Sequence, residues 1–265
     1  MVEIKIEELR YRPNKYSKEI LQGVDASIKE GTFCGILGPN GSGKTTTIRH
    51  ILAFLQVQSG RIKIQEKELH RIDRKELATT LSFVPQNTFL EADFTVYEVV
   101  AMGRNPYMSR FSSLTEKDEK IISEALAMTN TERFREKRLN QLSGGEAQMV
   151  LIARAIVQDT PWIILDEPIS HLDIKHQFKL MELLKELNEK KHKTIIAILH
   201  DINLASQYCD EIILMKDGKV YAKGEADEVL TRENLKAVYE MDFMIRSEEE
   251  LNHSYYIPIA DLEGK

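Results

Sequence analysis

The stretch GPNGSGKTT, Gly38 to Thr46, decides the fold class of this 265-residue chain. It fits the phosphate-loop pattern G-x-x-x-x-G-K-[ST] and follows an apolar run, residues 32–37, that predicts a buried strand. A helix is predicted over residues 44–55, which points its first free N–H groups and its positive dipole end at a bound phosphate. Strand, loop and helix in this order predict a nucleotide site. A glycine-rich turn that binds nothing is the less favoured alternative.

The residue types of the loop suit a small and highly charged ligand. Glycines permit the positive φ values and the close backbone approach that wrapping a phosphate requires. Lys44 is predicted to reach the β- and γ-phosphates, and the Thr45 hydroxyl is predicted to hold Mg²⁺. The candidate nucleotide-binding residues of the loop are Gly38, Pro39, Asn40, Gly41, Ser42, Gly43, Lys44, Thr45 and Thr46.

Length and composition limit the class of protein. The chain is long enough for one large α/β domain or for a core with an inserted subdomain, whereas two such nucleotide-binding units would need more residues. A formal net charge of −6 and a charged fraction of 29% disfavour nucleic acid as a partner. No apolar run approaches the roughly 20 residues that cross a bilayer, and the first residues do not resemble a signal peptide, so we expect a cytosolic chain.

The periodicity of the other segments predicts three kinds of region. Extended segments over residues 3–9, 20–28 and 60–64 predict a mainly antiparallel layer. From Thr95 to about Val157 the pattern is helical, with Thr115 and Ser143 as predicted caps. Strands and helices then alternate, which predicts a return to parallel α/β architecture, and no element is predicted after Tyr239. These later elements are predicted at residues 162–165, 174–189, 194–199, up to 208, and 211–215.

The cysteines and histidines give no recognised metal pattern. Cys34 and Cys209 lack Cys-x-x-Cys or Cys/His spacing and are predicted to be structural, which fits a reducing compartment. His171, Asp173 and His176 do not have a known ligand spacing, so metal binding there is disfavoured.

The stretch WIILDEP, Trp162 to Pro168, is an apolar strand that ends in two acids. It delivers carboxylates to the carboxyl edge of a parallel sheet, where α/β proteins bind ligands. Asp166 is predicted to support Mg²⁺ through its water shell, and Glu167 to orient or deprotonate the attacking water. Taken alone, the pair has an alternative reading as ordinary acids at a strand end.

The stretch LSGGE, Leu142 to Glu146, supplies the deciding motif. Ser143 and Glu146 form a capping box, which by itself is a complete structural explanation. Gly144 and Gly145 leave a bare positive helix end that suits a phosphate presented by another molecule. With this element the sequence resembles the ATP-binding cassette (ABC) family, whose signature is LSGGE.

The resemblance covers nearly the whole chain, and six motifs occur in family order. It implies that Gln86 links Mg²⁺ and the attacking water to the membrane partner, that Asp173 lies in a loop crossing the dimer interface, and that His200 contacts the γ-phosphate. Each residue has a structural alternative, as turn surface, helix cap and strand-end histidine respectively. The family also stacks adenine on an aromatic residue, for which Tyr11 is favoured over Tyr16.

The fold that the resemblance implies is α/β. It has a P-loop NTPase (RecA-like) core with an N-terminal antiparallel β subdomain and an inserted helical subdomain. We expect one ABC ATPase domain over residues 1–265, with the nucleotide-binding core and β subdomain at about 1–87 and 158–240. The helical subdomain is expected at about 88–157, and a C-terminal tail at about 241–265.

Three longer stretches, residues 95–111, 166–177 and 199–224, resemble the cassettes of importers for ferric siderophores, heme and cobalamin. This likeness implies a homodimer with ATP and Mg²⁺ at two sites, each built from the phosphate loop of one chain and Ser143–Glu146 of the other. It also implies two integral-membrane permease subunits, a separate substrate-binding protein, and a peripheral location on the cytoplasmic side of the cell membrane.

The permease is expected to dock at residues 86–110, where Phe89, Leu90, Phe94 and Tyr107 offer apolar contact or are simply core. Ala147 and Met149, where many relatives carry arginines, and Ile169 in place of a common threonine leave the transported substrate open. The alternatives are an ABC ATPase of another transporter class and a soluble cassette protein that acts on ribosomes or DNA. Soluble members usually carry two cassettes or a long coiled-coil insertion, and neither is visible here.

Overall fold

The computed structural model describes residues 3–86, 93–109, 113–170, 172–247 and 253–259. The strands are β1 (Glu3–Tyr11), β2 (Leu21–Lys29), β3 (Phe33–Leu37), β4 (Ser59–Ile64), β5 (Lys67–Glu68), β6 (Leu81–Val84), β7 (Trp162–Asp166), β8 (Thr194–Ile198), β9 (Glu211–Lys216), β10 (Lys219–Gly224), β11 (Asp242–Ser247) and β12 (Ser254–Ile259). The α-helices are α1 (Lys44–Ile51), α2 (Arg74–Thr80), α3 (Val96–Ala101), α4 (Glu116–Met128), α5 (Gly144–Val157), α6 (Ile174–Lys191), α7 (Ile202–Tyr208), α8 (Ala226–Val229) and α9 (Arg232–Tyr239).

The chain divides into two compact units. The first unit consists of Met1–Ile72 and Ile196–Lys265, and the second of Asp73–Ile195. The division falls inside β8, so this strand contributes residues to both units. This division differs from the subdomain boundaries expected from the sequence, which stay a prediction.

The first unit contains the predicted antiparallel layer. Its strands run in the order β2-β1-β4-β5, and β1 pairs antiparallel with both β2 and β4. Ile4 lies opposite Ile28 on one side and Ile64 on the other, and all three side chains are buried. Burial of every second residue on one face is what the alternating pattern predicted.

The first unit also contains the strand that leads into the phosphate loop. There the strand order is β10-β9-β3-β8, and β3 pairs parallel with β9. Every residue of β3 is buried, as expected for a strand covered on both faces. Leu199 N donates to Ile36 O at 3.1 Å, so the chain after β8 stays beside β3 as both strands end.

Helix α1 is shorter than predicted, since it ends at Ile51 and not at residue 55. Ala53 adopts a left-handed φ of 54°, and Phe54 N donates to Arg49 O at 2.9 Å. A left-handed residue of this kind closes a helix end, and glycine is its usual sequence signal. The sequence has alanine there, which is why the helix end was missed.

The second unit begins with a parallel pair of strands and continues into helices. β6 and β7 are parallel, with Ser82 opposite Ile163, and Thr194 N at the start of β8 donates to Pro161 O at 2.9 Å. Helices α3, α4 and α5 follow the predicted helical pattern, and each begins with a complete capping box. The caps predicted at Thr115 and Ser143 are therefore confirmed.

The segment Met102–Tyr107 forms a short 3-10 helix that packs against the C-terminal end of α5. A Cβ atom on Gly103 would lie 2.4 Å from Arg154 O, so only glycine permits this close approach. Arg104 is buried, donates through Nε to Asp118 Oδ1 at 2.7 Å and through Nη1 to Val157 O at 2.9 Å. The Arg104 guanidinium also lies 4.1 Å from the centre of the Tyr107 ring.

The chain after Tyr239, which received no predicted element, forms a hairpin of β11 and β12 with six residue pairs. Phe243 and Tyr256 bury its inner face, at 4% and 3% exposure. Cys34 and Cys209 are both buried, and burial raises the pKa of the Cys34 thiol. Among the described residues, no helix has both the length and the apolar character needed to span a membrane.

Candidate functional site

The phosphate loop contains two glycines that could not be replaced by another residue without displacing neighbouring atoms. Gly38 has a φ of +144°, and a Cβ atom there would lie 2.2 Å from Met215 O. Gly43 has a φ of +102°, and its Cβ would lie 2.7 Å from the Leu21 side chain. Both positions combine left-handed backbone with close packing, so the loop conformation depends on glycine.

The polar groups of the loop suit a phosphate ligand. Lys44 is buried, and its Nζ donates to Gly38 O at 2.8 Å and to Pro39 O at 3.0 Å, which holds the ammonium group inside the loop. Ser42 Oγ is buried and has no hydrogen-bond partner among the residues that the structure describes. A buried hydroxyl without a partner is unfavourable, and a phosphate oxygen would satisfy it.

The N-terminus of α1 is also suited to an anion. Its N-cap residue Gly43 provides no side-chain cap, and the first turn contains no acidic residue. Helices α3, α4 and α5, by contrast, each carry a capping side chain and an acid in the first turn. The N–H groups and positive dipole end of α1 are thus left for a ligand that brings its own negative charge.

The two candidate tyrosines for base stacking occupy different environments. Tyr11 ends β1, and its ring meets the His50 ring edge-on with a centroid distance of 4.7 Å. His50 Nδ1 lies 2.8 Å from Thr46 O, so Tyr11 sits beside the helix of the phosphate loop. Tyr16 is 86% exposed, and Lys15 Nζ lies 4.8 Å from the centre of its ring. The choice of Tyr11 stays a prediction.

His200 follows β8 at the edge where β3 enters the phosphate loop. It precedes the N-cap residue Asp201, whose Oδ1 accepts from Asn203 N at 2.8 Å and Leu204 N at 3.0 Å. The helix cap that sequence reasoning offered as the structural role of this region is therefore present. The γ-phosphate contact of His200 stays a prediction.

Sequence reasoning missed one neighbour of the phosphate loop. The Tyr239 hydroxyl is hydrogen-bonded to the backbone of Gly38. Burial raises the pKa of Tyr239 to about 12, against the opposing effect of this hydrogen bond. No local pattern points to the contact, because the two residues lie far apart in the sequence.

In the second unit, the structure brings together Gln86 and Glu167. Gln86 follows β6 and Glu167 follows β7, and Gln86 Nε2 donates to Glu167 Oε2 at 2.5 Å. Glu167 has a φ of +50°, a strained left-handed conformation that clusters at functional sites. Asp166, the last residue of β7, is buried at 5% exposure. Two predicted catalytic side chains and one predicted metal ligand thus end neighbouring strands.

The signature segment has the predicted capping geometry. Ser143 N and Ser143 Oγ each donate to Glu146 Oε2 at 2.9 Å, and Glu146 N donates back to Ser143 Oγ at 3.3 Å. These bonds lower the pKa of Glu146. A Cβ atom on Gly144 would meet nothing within 4 Å, whereas one on Gly145 would lie 3.3 Å from Leu172. The helix therefore presents bare backbone at Gly144.

Asp173 has the structural role that was its alternative explanation. It caps α6, with Oδ1 accepting from His176 N at 2.9 Å and lying 2.8 Å from His176 Nδ1. These two hydrogen bonds lower the pKa of Asp173. The predicted place of Asp173 at a dimer interface stays a prediction. His171, the third residue of the disfavoured metal pattern, lies outside the described residues.

Comparison with known proteins gives the family. The profile described as ABC transporter matches residues 21–170. The petrobactin import ATP-binding protein YclP of Bacillus subtilis is 37% identical over 91% of this chain and 95% of its own length. The iron(3+)-hydroxamate import ATP-binding protein FhuC of the same organism is 34% identical over 88% of this chain and 87% of its own length.

A longer relative and two solved structures agree with this assignment. The cobalamin import ATP-binding protein BtuD of Halobacterium salinarum is 33% identical over 91% of this chain, which spans 60% of that protein's length. A metal-chelate type ABC transporter in an inward-facing conformation matches with a TM-score of 0.85 and 25% identity, over 98% of this chain and 99% of that one. A dimeric bacterial ABC transporter cassette matches with a TM-score of 0.75 and 35% identity, over 84% and 98%. With the α/β fold of a P-loop NTPase, this chain belongs to the ABC transporter family.

Proposed function

We propose that this chain is the ATP-hydrolysing subunit of an importer for metal chelates of the ferric siderophore, heme or cobalamin class. The observation that carries the nucleotide part is the phosphate loop. There Ser42 Oγ is buried with no partner in the described part of the chain, and Lys44 Nζ is held among loop carbonyls. The importer class rests on relatives whose names state import of petrobactin, iron(3+)-hydroxamate and cobalamin.

Mg²⁺ would be held by Thr45, Gln86 and Asp166. Hydroxyl, amide and carboxylate oxygens are the ligands that this ion prefers, so the chemistry of the donor set fits. When bound, Mg²⁺ would supply positive charge to offset the charge that develops on the β- and γ-phosphate oxygens. Glu167 accepts a hydrogen bond from Gln86, which orients its carboxylate to position or deprotonate the attacking water.

A homodimer would complete two ATP sites. The phosphate loop of one copy would face Ser143–Glu146 of the other, where bare backbone at Gly144 lets a phosphate approach the N-terminus of α5. Asp173 would lie near the same interface. Dimeric cassettes among the related structures support this arrangement. ATP closes the pair, and hydrolysis reopens it.

The permease would dock on residues 86–110, and a separate substrate-binding protein would deliver the chelate. This arrangement puts the chain at the cytoplasmic face of the cell membrane as a peripheral subunit. Phe94 is half-buried and Tyr107 is 43% exposed, so both can reach a partner. Phe89, Leu90 and Arg110 lie outside the described residues.

The docking proposal is tested with Phe94→Asp. In vesicles reconstituted with the permease, we expect this change to abolish substrate-stimulated ATPase activity and uptake while leaving basal hydrolysis intact. Tyr221→Asp is the matched control, because Tyr221 is 45% exposed and lies on β10, outside the docking window. Equal loss of basal and stimulated activity would mean that Phe94 belongs to the core.

The substrate class is tested separately by deleting the gene. Cells that lack it should lose uptake of one chelate among ferric siderophores, heme and cobalamin. Unchanged uptake of all three would contradict the importer class while leaving the ATPase assignment standing.

A further inference from the structure

The C-terminal residues contact the phosphate loop and the helix that follows His200. Strand β12 packs on α7, the helix that follows His200. Helix α9 ends at Tyr239, whose hydroxyl meets the Gly38 backbone. Both contacts lie within the first unit. The hairpin after Tyr239 thus contacts the helix that follows His200, and the helix before the hairpin meets the phosphate loop.

The contact with α7 is a two-bond pairing between a side chain and a backbone. Asn203 Oδ1 accepts from Tyr256 N at 2.8 Å, and Asn203 Nδ2 donates to Tyr256 O at 3.2 Å. The amide group uses a donor and an acceptor at once, as a neighbouring strand would. Two bonds restrict both the position and the direction of the side chain, and therefore of the first turn of α7.

A short path leads from this pairing to His200. Asn203 N is also bonded to the cap residue Asp201, which follows His200 directly. On the other side, Leu199 N is bonded to Ile36 O. His200 therefore sits between a fixed strand end and the first turn of α7, and a shift of that turn moves the backbone on which the histidine is carried.

The hairpin can hold α7 because it is itself fixed. Tyr256 is 3% exposed and pairs with Ile245 across the hairpin. Ser254 Oγ donates to Asp227 Oδ1 at 3.2 Å. In α9, the helix that precedes the hairpin, Ala237 O accepts from Lys216 Nζ at 2.6 Å. Strand β12 and the helix that leads into the hairpin are thus both bonded to other parts of the first unit.

We infer that Asn203 is a positioning residue for ATP hydrolysis, which sets the place of His200 through its pairing with Tyr256 of the C-terminal hairpin. This inference rests on the proposed function. The effect falls on the chemical step, because Asn203 acts through His200, the residue predicted to contact the γ-phosphate, and does not form part of the phosphate loop. Misplacement of a reacting group by an ångström lowers rates by as much as about 100-fold.

The test compares Asn203→Ala with Gln58→Ala. Gln58 makes the same kind of pairing, since its Oε1 accepts from Arg12 N at 3.0 Å and its Nε2 donates to Arg12 O at 2.9 Å. Arg12 adjoins Tyr11, the residue predicted to stack on adenine, so a change at Gln58 can alter the KM for ATP. The two variants are therefore compared by kcat and not by KM. We expect Asn203→Ala to lower kcat by about 10- to 100-fold with little change in KM for ATP. Gln58→Ala should keep the wild-type kcat.

A second measurement separates positioning from general damage to the fold. Single-turnover hydrolysis is measured for His200→Ala and for the double variant with Asn203→Ala. If Asn203 acts through His200, its loss costs little more once the histidine is absent. Hydrogen exchange of the α7 amides should also speed up in Asn203→Ala and stay unchanged in Gln58→Ala.

Three results would overturn the inference: an unchanged kcat in Asn203→Ala, the same loss in Gln58→Ala, or losses at Asn203 and His200 that multiply. The wild-type protein in the same assay tests the proposed function. If it does not hydrolyse ATP, the function fails. If it does, and any of the three results is found, only the role of Asn203 fails.

Discussion

Gln86 Nε2 donates a hydrogen bond to Glu167 Oε2 at 2.5 Å, joining two residues that follow adjacent parallel strands. The bond occupies one carboxylate oxygen of Glu167. The backbone of Glu167 adopts a left-handed conformation with φ +50°. An amide that approaches in this way orients the carboxylate without neutralising its charge. The Gln86–Glu167 pair is therefore suited to orienting or deprotonating a water molecule.

Glu167→Gln should keep ATP binding and lose hydrolysis. The amide fills the same volume and can still accept from Gln86, but it cannot take a proton. Loss of a general base lowers kcat by about 10²- to 10⁴-fold. Size-exclusion chromatography with ATP should show a trapped dimer, because hydrolysis is what reopens the pair. Near-normal turnover would remove Glu167 from this role, and Glu124→Gln on the surface of α4 is the control.

Lys44→Ala should weaken ATP binding and hydrolysis together. The ammonium group neutralises phosphate charge before any chemistry begins. Titration with a fluorescent ATP analogue measures the dissociation constant, with Lys29→Ala at the exposed end of β2 as the control. An unchanged affinity would reject the assignment.

Tyr11→Ala should raise the dissociation constant for ATP, and Tyr16→Ala should not. A base stacked on an aromatic ring is worth about 1 to 3 kcal/mol. The same titration ranks the two variants, and each serves as the control for the other. The opposite ranking would assign the stack to the exposed Tyr16.

The free energy of unfolding should depend on Asp118 at low pH. Hydrogen bonds from Thr115, together with Arg104, lower the pKa of Asp118 from 3.8 to about 2. A folded-state pKa below the unfolded value stabilises the protein above about pH 4. That contribution, about 2 kcal/mol, is lost as the pH falls towards 2.

Urea unfolding of the wild type and of Asp118→Asn, at pH 5 and at pH 2.5, checks this prediction. The difference in stability between the two proteins should shrink at the lower pH. A difference that is the same at both pH values would show that the carboxylate has an ordinary pKa in the folded protein.

The local elements of this chain were largely predictable from its sequence. Capping signals at Thr115 and Ser143 start helices where expected, and the apolar runs before Gly38 and Asp166 form buried strands. These features depend on a few neighbouring residues, so periodicity and cap chemistry suffice to find them.

The parts that could not be predicted depend on contacts distant in sequence. The left-handed Ala53 that ends α1 has no glycine to signal it. The bonds from Tyr239 to Gly38 and from Asn203 to Tyr256 join residues far apart in the chain. The side chains of the hairpin after Tyr239 are buried by such distant residues and not by their sequence neighbours. The strand-end placement of Gln86 and Glu167 could be expected, but their direct bond could not.

The close approach of Gly103 to Arg154 O brings the backbone of Met102–Tyr107 directly against the backbone of α5. The helix has 14 residues, and about 16 Å of it lies between Arg154 and the N-cap residue Ser143. Because no side chain separates Gly103 from the helix backbone, a displacement of Met102–Tyr107 would be passed directly to α5. A tilt of about 5° about this point would move the Ser143 end of the helix by about 1.4 Å. A displacement of that size at the Ser143 end is large enough to make or break a hydrogen bond there.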